Sequence, residues 1–209
     1  MPKMVDHEER RRQISQALWR IAAERGLEAV SMREVAAAAG MSTGLVQHYF
    51  ATKDDMLLYA TGWLREQLGE RIRRAVAAVP QPSTTAALLR AVLTALLPLD
   101  PDGRAETLAG IAVFIRALND PAMADRYSEG RAQLTAAVAD LLAKADPADG
   151  GRRAEHGDAQ RAEGVELAAE TLLALVEGLA SALLLGRLTT ERALRILDHQ
   201  LARTGAVQG

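Results

Sequence analysis

Residue types able to do covalent or metal chemistry are sparse in this 209-residue chain. There is no cysteine, which removes disulfide frameworks, thiolate metal sites and cysteine nucleophiles together. The four histidines, His7, His48, His156 and His199, are scattered. No inward carboxylates or histidines recur at i, i+3 or i+4 spacing, as a helical metal or acid-base site would require. A phosphate-binding glycine loop and a nucleophile motif are also missing, so neither metal, cofactor nor catalytic residue is expected and the chain reads as a non-enzyme. One stretch stands out, SMREVAAAAGMSTGLVQHYFATKDD from Ser31 to Asp55. It reads as two short helices joined by a tight glycine turn, with Thr43, Gln47 and His48 left over from the positions that face a core. Such a stub presents its N-terminal residues outward, where they can enter a DNA major groove roughly 12 Å wide. From the pattern alone, a small helical bundle with no DNA role fits as well.

The elements that must position this stretch are helical. Alanine is the best helix former, the chain holds 41 of them, and aromatic and β-branched residues are sparse. A first helix carries Ile14, Leu18, Ile21 and Ala22 on one face and ends at Gly26. Ser31 with Glu34 makes a capping box for a second helix facing inward through Met32, Val35, Ala36 and Ala39, and Gly40 stops it. Ser42 caps a third helix, which turns Leu45, Val46 and Tyr49 to the core. Thr52 with Asp55 is a second capping box, opening a long fourth helix through Leu57, Leu64, Leu68 and Ile72 to about Val79. The breaker PQPS at Pro80 to Ser83 ends it. Further helical patterns cover about 84–97, 102–118, 121–145, 161–186 and 190–203. The stretch DPADGGRRAEHGDAQ between the third and fourth of these has the content of a mobile surface loop.

Charge and hydropathy bound the partners. The formal net charge is −2, but the residues up to Val79 hold 12 basic against 10 acidic side chains and the remainder 13 against 17. The N-terminal part is thus the part biased toward an anionic partner. A charged N-terminus and the shortness of the longest uninterrupted apolar run, ALLLG near Leu184, predict a soluble, unexported, cytoplasmic protein with no membrane partner.

Through SMREVAAAAGMSTGLVQHYFATKDDML the chain resembles the TetR family of bacterial transcription regulators. The resemblance is strong over about residues 10 to 57, with the glycine turn at Gly40, HYF at His48 to Phe50 and TKDDML opening the fourth helix. STGLVQHYF is similar to the branch that includes choline-responsive repressors. The resemblance implies an all-α fold with a helix-turn-helix head at 1–52 and a helical ligand-binding and dimerisation domain at 53–209. It also implies a homodimer on a near-palindromic double-stranded operator, released when a small-molecule effector enters the C-terminal domain. The long fourth helix would carry that response as a shift between two populated states.

Carried onto this sequence, Thr43, Gly44, Gln47 and Arg33 fall at base-contacting positions, and Tyr49, Lys53 and Ser31 at phosphate-contacting ones, with His48 able to reach either. Gln47 suits adenine, Arg33 suits guanine, Thr43 offers a methyl and a hydroxyl, and Gly44 permits close backbone approach. Ser42 to Phe50 holds no Lys or Arg. Nonspecific attraction must therefore come from Lys3, Arg10, Arg11, Arg12, Arg33 and Lys53, which predicts a modest salt dependence.

For the ligand, the expected pocket walls are Trp63, Leu64, Leu93, Leu97, Phe114, Ile115, Leu118 and Leu141, each also explicable as core. Arg116, inside the apolar VFIRALND, must meet an anionic ligand or pair with Asp120 at i+4. The low aromatic content argues against an aromatic cage for a quaternary ammonium. The eighth helical pattern is apolar nearly all round, with Leu167 and Leu172 among its members, so it must be covered on more than one face. The last two helices are the expected dimer interface, a four-helix bundle with their symmetry mates anchored by Leu175, Leu179, Ala182, Leu183, Ile196 and Leu197. The competing reading is a helical small-molecule carrier or enzyme without a DNA role.

Overall fold

The computed structural model describes residues 2–145 and 158–203 of the chain, with side chains from His7 to Lys144 and from Gln160 to Arg203. Among these residues the architecture is all helical: α1 Pro2–Arg25, a 3-10 turn Leu27–Ala29, α2 Met32–Ala38, α3 Thr43–Tyr49, α4 Lys53–Ala77, α5 Thr85–Ala95, α6 Pro101–Ala117, α7 Pro121–Ala145, α8 Asp158–Leu184 and α9 Thr190–Arg203. The surface loop expected after α7 lies almost wholly outside the described residues, as does His156.

The helix boundaries follow from hydrogen-bonding side chains at their starts and glycines at their ends. Ser31 Oγ accepts from Glu34 N and Ser42 Oγ from Leu45 N, both at 3.1 Å. At Thr52 the box closes in both directions, Asp55 N donating to Thr52 Oγ1 at 3.0 Å and Thr52 N to Asp55 Oδ2 at 3.1 Å. The Ser31 box is only half made, because the Glu34 carboxylate accepts from Arg25 Nη2 at 2.6 Å. This guanidinium also holds the Glu34 carboxyl below the usual glutamate range. α2 ends in a Schellman turn: Met41 N donates to Ala36 O and Gly40 N to Ala37 O, with Gly40 at φ +66°. A side chain at Gly40 would be strained by that φ, so glycine suits the turn between α2 and α3.

By packing, the chain forms two compact units, Met1–Gly69 with Arg104–Tyr127, and Glu70–Gly103 with Ser128–Gly209. The first is built on α1, whose Ile14, Leu18, Ile21 and Ala22 are all buried as the periodicity predicts. Trp19 is buried beside them and donates Nε1 to Ala60 O of α4 at 2.7 Å, which ties α1 to α4 without leaving the indole N–H unpaired. Val35 and Ala36 of α2, Val46 and Phe50 around α3, and Met56 and Leu57 of α4 complete this core.

The second unit centres on Leu89, Leu93 and Leu97 from α5 and its C-terminal turn, Val138 and Leu142 of α7, and Leu172, Leu173, Val176 and Leu179 of α8. Ala193, Leu197 and Leu201 of α9 close it. Its edge is pinned by Asp100, which accepts from Arg71 Nη1 at 2.9 Å and from Gly103 N at 2.6 Å. A side chain on Gly103 would meet Arg71 Nη1 at 3.1 Å and Leu97 O at 3.3 Å, so the close approach there suits glycine.

α8 is more apolar than its short runs suggest. Although its uninterrupted apolar runs are short, an 18-residue window within Gln160–Leu184 has mean hydropathy 1.7, long and apolar enough to cross a bilayer by length and composition only, and 33% of that window is buried in the chain. The charged residues that interrupt the runs are too few to offset the leucines and alanines between them.

Two stability outcomes follow. Trp19→Phe removes the indole donor from Ala60 O, which keeps its partner within α4, and leaves a void where the larger ring packed, so it should cost about 1–3 kcal/mol in urea unfolding. The Asp100 carboxyl is held below the usual aspartate range, by Arg71 first and the Gly103 amide second. Its contribution is thus present above the unfolded value of about 4 and is lost as pH falls through the lower folded value. Asp100→Asn should therefore lower the melting temperature at pH 7 and flatten its decline in acid, as measured by calorimetry.

Candidate nucleic-acid interface

α3 is only seven residues long, too short to persist alone, and its position is set by what it buries. Val46 is fully buried and Phe50, its C-cap, is 4% exposed. These sit at i and i+4, one inward stripe. At about 100° per residue the remaining positions fan over the opposite side. Gly44, Gln47 and His48 are exposed and Thr43 half-buried at the rim. All four candidate base-reading positions that α3 contributes, or could contribute, thus share one outward arc.

Leu45 departs from expectation. Read as a core residue, it is 37% exposed. The reason is geometric: a two-turn helix anchored by Val46 and Phe50 has room for only a narrow inward stripe, and Leu45, about 100° from Val46 and between His48 and Tyr49 around the helix, falls outside it. An apolar side chain there can meet a thymine methyl. The sequence signal was available in the i, i+4 spacing of Val46 and Phe50, but hydrophobicity masked it.

The polar neighbours are arranged as follows. Arg33, in the first turn of α2, is exposed beside Glu34, whose charge it helps stabilise, and Ser31 is exposed with its hydroxyl oxygen already accepting from Glu34 N. Tyr49 is half-buried, its ring 4.5 Å from that of His7 and 5.4 Å from that of His48. Lys53, half-buried at the start of α4, donates Nζ to Leu27 O at 3.4 Å, a long bond that a phosphate can replace. His7 was not anticipated beside Tyr49 of α3, since nothing in the sequence relates positions 42 residues apart.

The supply of positive charge is smaller than the sequence suggests. Arg11 turns inward: its guanidinium lies 5.3 Å from the Phe50 ring centroid and 5.2 Å from that of Tyr59, with Nη2 3.4 Å from Tyr49 O. Arg10 donates to Gln13 Oε1 at 3.1 Å, and Arg12 Nε stands 4.0 Å from the Glu8 carboxylate. Arg20 Nη2 donates to Ala38 O at 2.7 Å and so caps α2. The Lys3 side chain is outside the described residues.

The expected ligand walls divide between the two units. Trp63, Phe114, Ile115, Arg116 and Leu118 belong to the first, Leu93 and Leu141 to the second. Leu93 is fully buried core and Leu141 packs half-buried beside it. Phe114, Ile115 and Leu118 are 44, 57 and 66% exposed, because α6 buries its opposite face through Ala109 and Val113. Arg116 is neutralised by Asp120 at 3.0 Å and Asp54 at 3.1 Å. Of the expected dimer anchors, Leu179 and Leu197 are buried in the second unit's own core, whereas Leu175, Ala182, Leu183 and Ile196 are half-buried.

An outward two-turn helix, braced by α1 and joined to α2 by a glycine turn, defines a helix-turn-helix DNA-binding regulator. Residues 14–60 match the family described as bacterial regulatory proteins, tetR family, and residues 85–206 match the BetI-type transcriptional repressor C-terminal family. The chain is 32% identical over 180 residues to the HTH-type transcriptional regulator PksA of Bacillus subtilis, covering 86% of this chain and 81% of that protein. It is 31% identical to the regulator BetI of Paraburkholderia phymatum over 80% of this chain and 84% of that one. A transcriptional regulator from Rhodococcus sp. Rha1 superposes with TM-score 0.76 at 30% identity, covering 93% of this chain and 95% of that one. A regulator from Saccharomonospora viridis solved in complex with choline shares the fold, with TM-score 0.71 at 22% identity over 96% and 97% of the two chains. The chain belongs to the TetR family and is a ligand-responsive transcription regulator rather than an enzyme.

Structure and readout separate experimentally. Phe50→Ala should cost about 3–5 kcal/mol of stability. Gln47→Ala and Arg33→Ala should leave urea unfolding unchanged while each removes about 1–3 kcal/mol of base discrimination in gel shifts. Undiminished sequence preference in both variants would overturn the readout assignment.

Proposed function

We propose that this chain represses transcription as a homodimer on a near-palindromic operator in the cytoplasm, and that a small organic effector releases it. The reading rests chiefly on the outward arc of α3, where polar or small side chains capable of base contact surround a buried Val46. In this reading Gln47, Arg33, Thr43 and Leu45 read base edges and Gly44 admits the backbone. Tyr49, Lys53, Ser31 and His48 hold the phosphates, and Arg10 and Arg12 add charge at the rim. With Arg11 turned inward and Arg12 facing Glu8, few phosphates are neutralised per head and salt dependence stays shallow. Lys53→Ala should reduce the slope of log K against log salt by about 2 per dimer, one phosphate on each head.

The dimer contact in this reading runs along α8. Leu167, Thr171, Ala174, Gly178, Ser181 and Leu185 are all exposed, alternate at four and three residues, and carry no charge. That spacing is the seam of a helix pair, and its small residues let two backbones approach. Leu175, Ala182 and Leu183 border it, and α9 joins through Ile196, so the interface is an α8 and α9 bundle turned outward from Leu179 and Leu197. A side chain at Gly178 would meet nothing within 4 Å in the chain, so Gly178→Arg leaves the protomer intact. It should yield a monomer by light scattering with operator binding lost, and a dimer of unchanged mass would overturn this interface. Selection of bound DNA fragments by the wild type, followed by screening for release, tests the regulatory reading itself.

A further inference from the structure

A cleft in the first unit holds four of the chain's seven aromatic side chains. It has a volume of about 440 Å³ and is lined by Tyr49 and Phe50 at the end of α3, by Tyr59 and Trp63 of α4, and by the carboxylates of Glu8, Asp55 and Glu66. Arg11 and Arg126 border it too, which leaves the lining with one negative charge in excess. Aromatic faces with carboxylates around them attract cations, through the ring quadrupole and through simple charge.

The chain already seats a cation there. The Arg11 guanidinium rests over the Phe50 and Tyr59 rings at 5.3 and 5.2 Å. This half-buried charge has little hydrogen bonding to hold it. Nη2 donates to Tyr49 O over a long 3.4 Å, and the buried Nε has no acceptor among the described residues. A buried donor without an acceptor is costly, so release of Arg11 to solvent recovers free energy. The frame around it is firmer: Tyr59 donates its hydroxyl to Glu8 Oε1 at 2.5 Å. Burial first, and Glu8 second, push the Tyr59 phenol up to about 12, so the ring wall stays neutral.

We infer that this cleft is a binding site for a small organic monocation of the alkylammonium class, which takes the place of the Arg11 guanidinium over Phe50 and Tyr59 and lies against Trp63 and Glu66. Arg11 then leaves the carbonyl of Tyr49, the last residue of α3. Because Tyr49 and Phe50 both end the recognition helix and line the cleft, occupancy shifts the position or order of α3 and weakens operator binding. The effect on DNA rests on the readout proposed above. Binding of the cation does not.

The test uses benzyltrimethylammonium and full-length protein, with affinity read by calorimetry and folding checked by circular dichroism. Wild type should bind the probe saturably and prefer it to neutral benzyl alcohol. Arg11→Ala should bind it about tenfold more tightly, since the competing cation is gone, a change opposite in sign to that of a merely structural loss. Trp63→Leu and Glu66→Gln should each weaken binding at least fivefold. Should Arg11→Ala fail to fold, Arg11→Gln carries the same expectation. No saturable binding, equal binding of benzyl alcohol, or no gain on removing the guanidinium would overturn the site. Saturating probe should also weaken operator binding by wild type at least fivefold at constant ionic strength, with tetramethylammonium-free sodium chloride as the matched control. Binding of the probe with operator affinity unchanged would overturn the coupling to α3. Failure of the wild type to bind any operator without probe would instead strike the readout proposal.

Discussion

A seven-residue helix cannot hold itself in water, and the arrangement of the first unit answers that constraint. The cost of nucleating two turns exceeds what their few hydrogen bonds return, so α3 exists because Val46 and Phe50 are buried against α1, α2 and α4. The Ser42 cap satisfies one early amide, and the Schellman turn at Gly40 fixes the angle at which the chain arrives. With Val46 and the C-cap Phe50 committed to the core and Tyr49 packed against it, the exposed positions of α3 are free to vary with the DNA to be read. Scaffold and specificity are thus separated at the level of single residues on one short helix.

The same economy governs charge. Basic side chains near the head are largely spent on the protein: Arg20 on the end of α2, Arg25 on Glu34, Arg11 on two rings and a carbonyl. Each such use trades long-range attraction for local order. An interface with little net charge must obtain its discrimination from geometry and hydrogen bonding, for which an outward arc of Thr43, Gly44, Gln47 and His48 is suited.

α8 shows how one nearly uniformly apolar helix divides into a buried and an exposed side. One side, Leu172, Leu173, Val176 and Leu179, fills the core of the second unit, while Leu167, Ala174, Gly178 and Leu185 remain outside. Composition alone cannot divide the two sides, because leucine on either raises the mean hydropathy equally. The division appears only when the burial of each position is known. Much the same holds for α6, where an i, i+3, i+4, i+7 run through Ile111, Phe114, Ile115 and Leu118 is the outward face and the smaller Ala109 and Val113 face in.

Local signals therefore determined the helices. Capping hydroxyls, the Thr52 and Asp55 box, Gly40 with its positive φ and the Pro80 to Ser83 breaker act within a few residues, so they are legible in sequence, and the helix ends fall within a few residues of where those signals place them. The head's core face was legible too, since Ile14, Leu18, Ile21, Val35 and Val46 follow the helical period. Tertiary structure alone decided the outward turn of Leu45, the capture of Arg11 by Phe50 and Tyr59, and the meeting of His7 with Tyr49. It also divided the expected ligand walls between two packing units. Those outcomes depend on contacts between residues far apart in the chain, where periodicity says which positions share a stripe and nothing in the sequence says what the stripe will face.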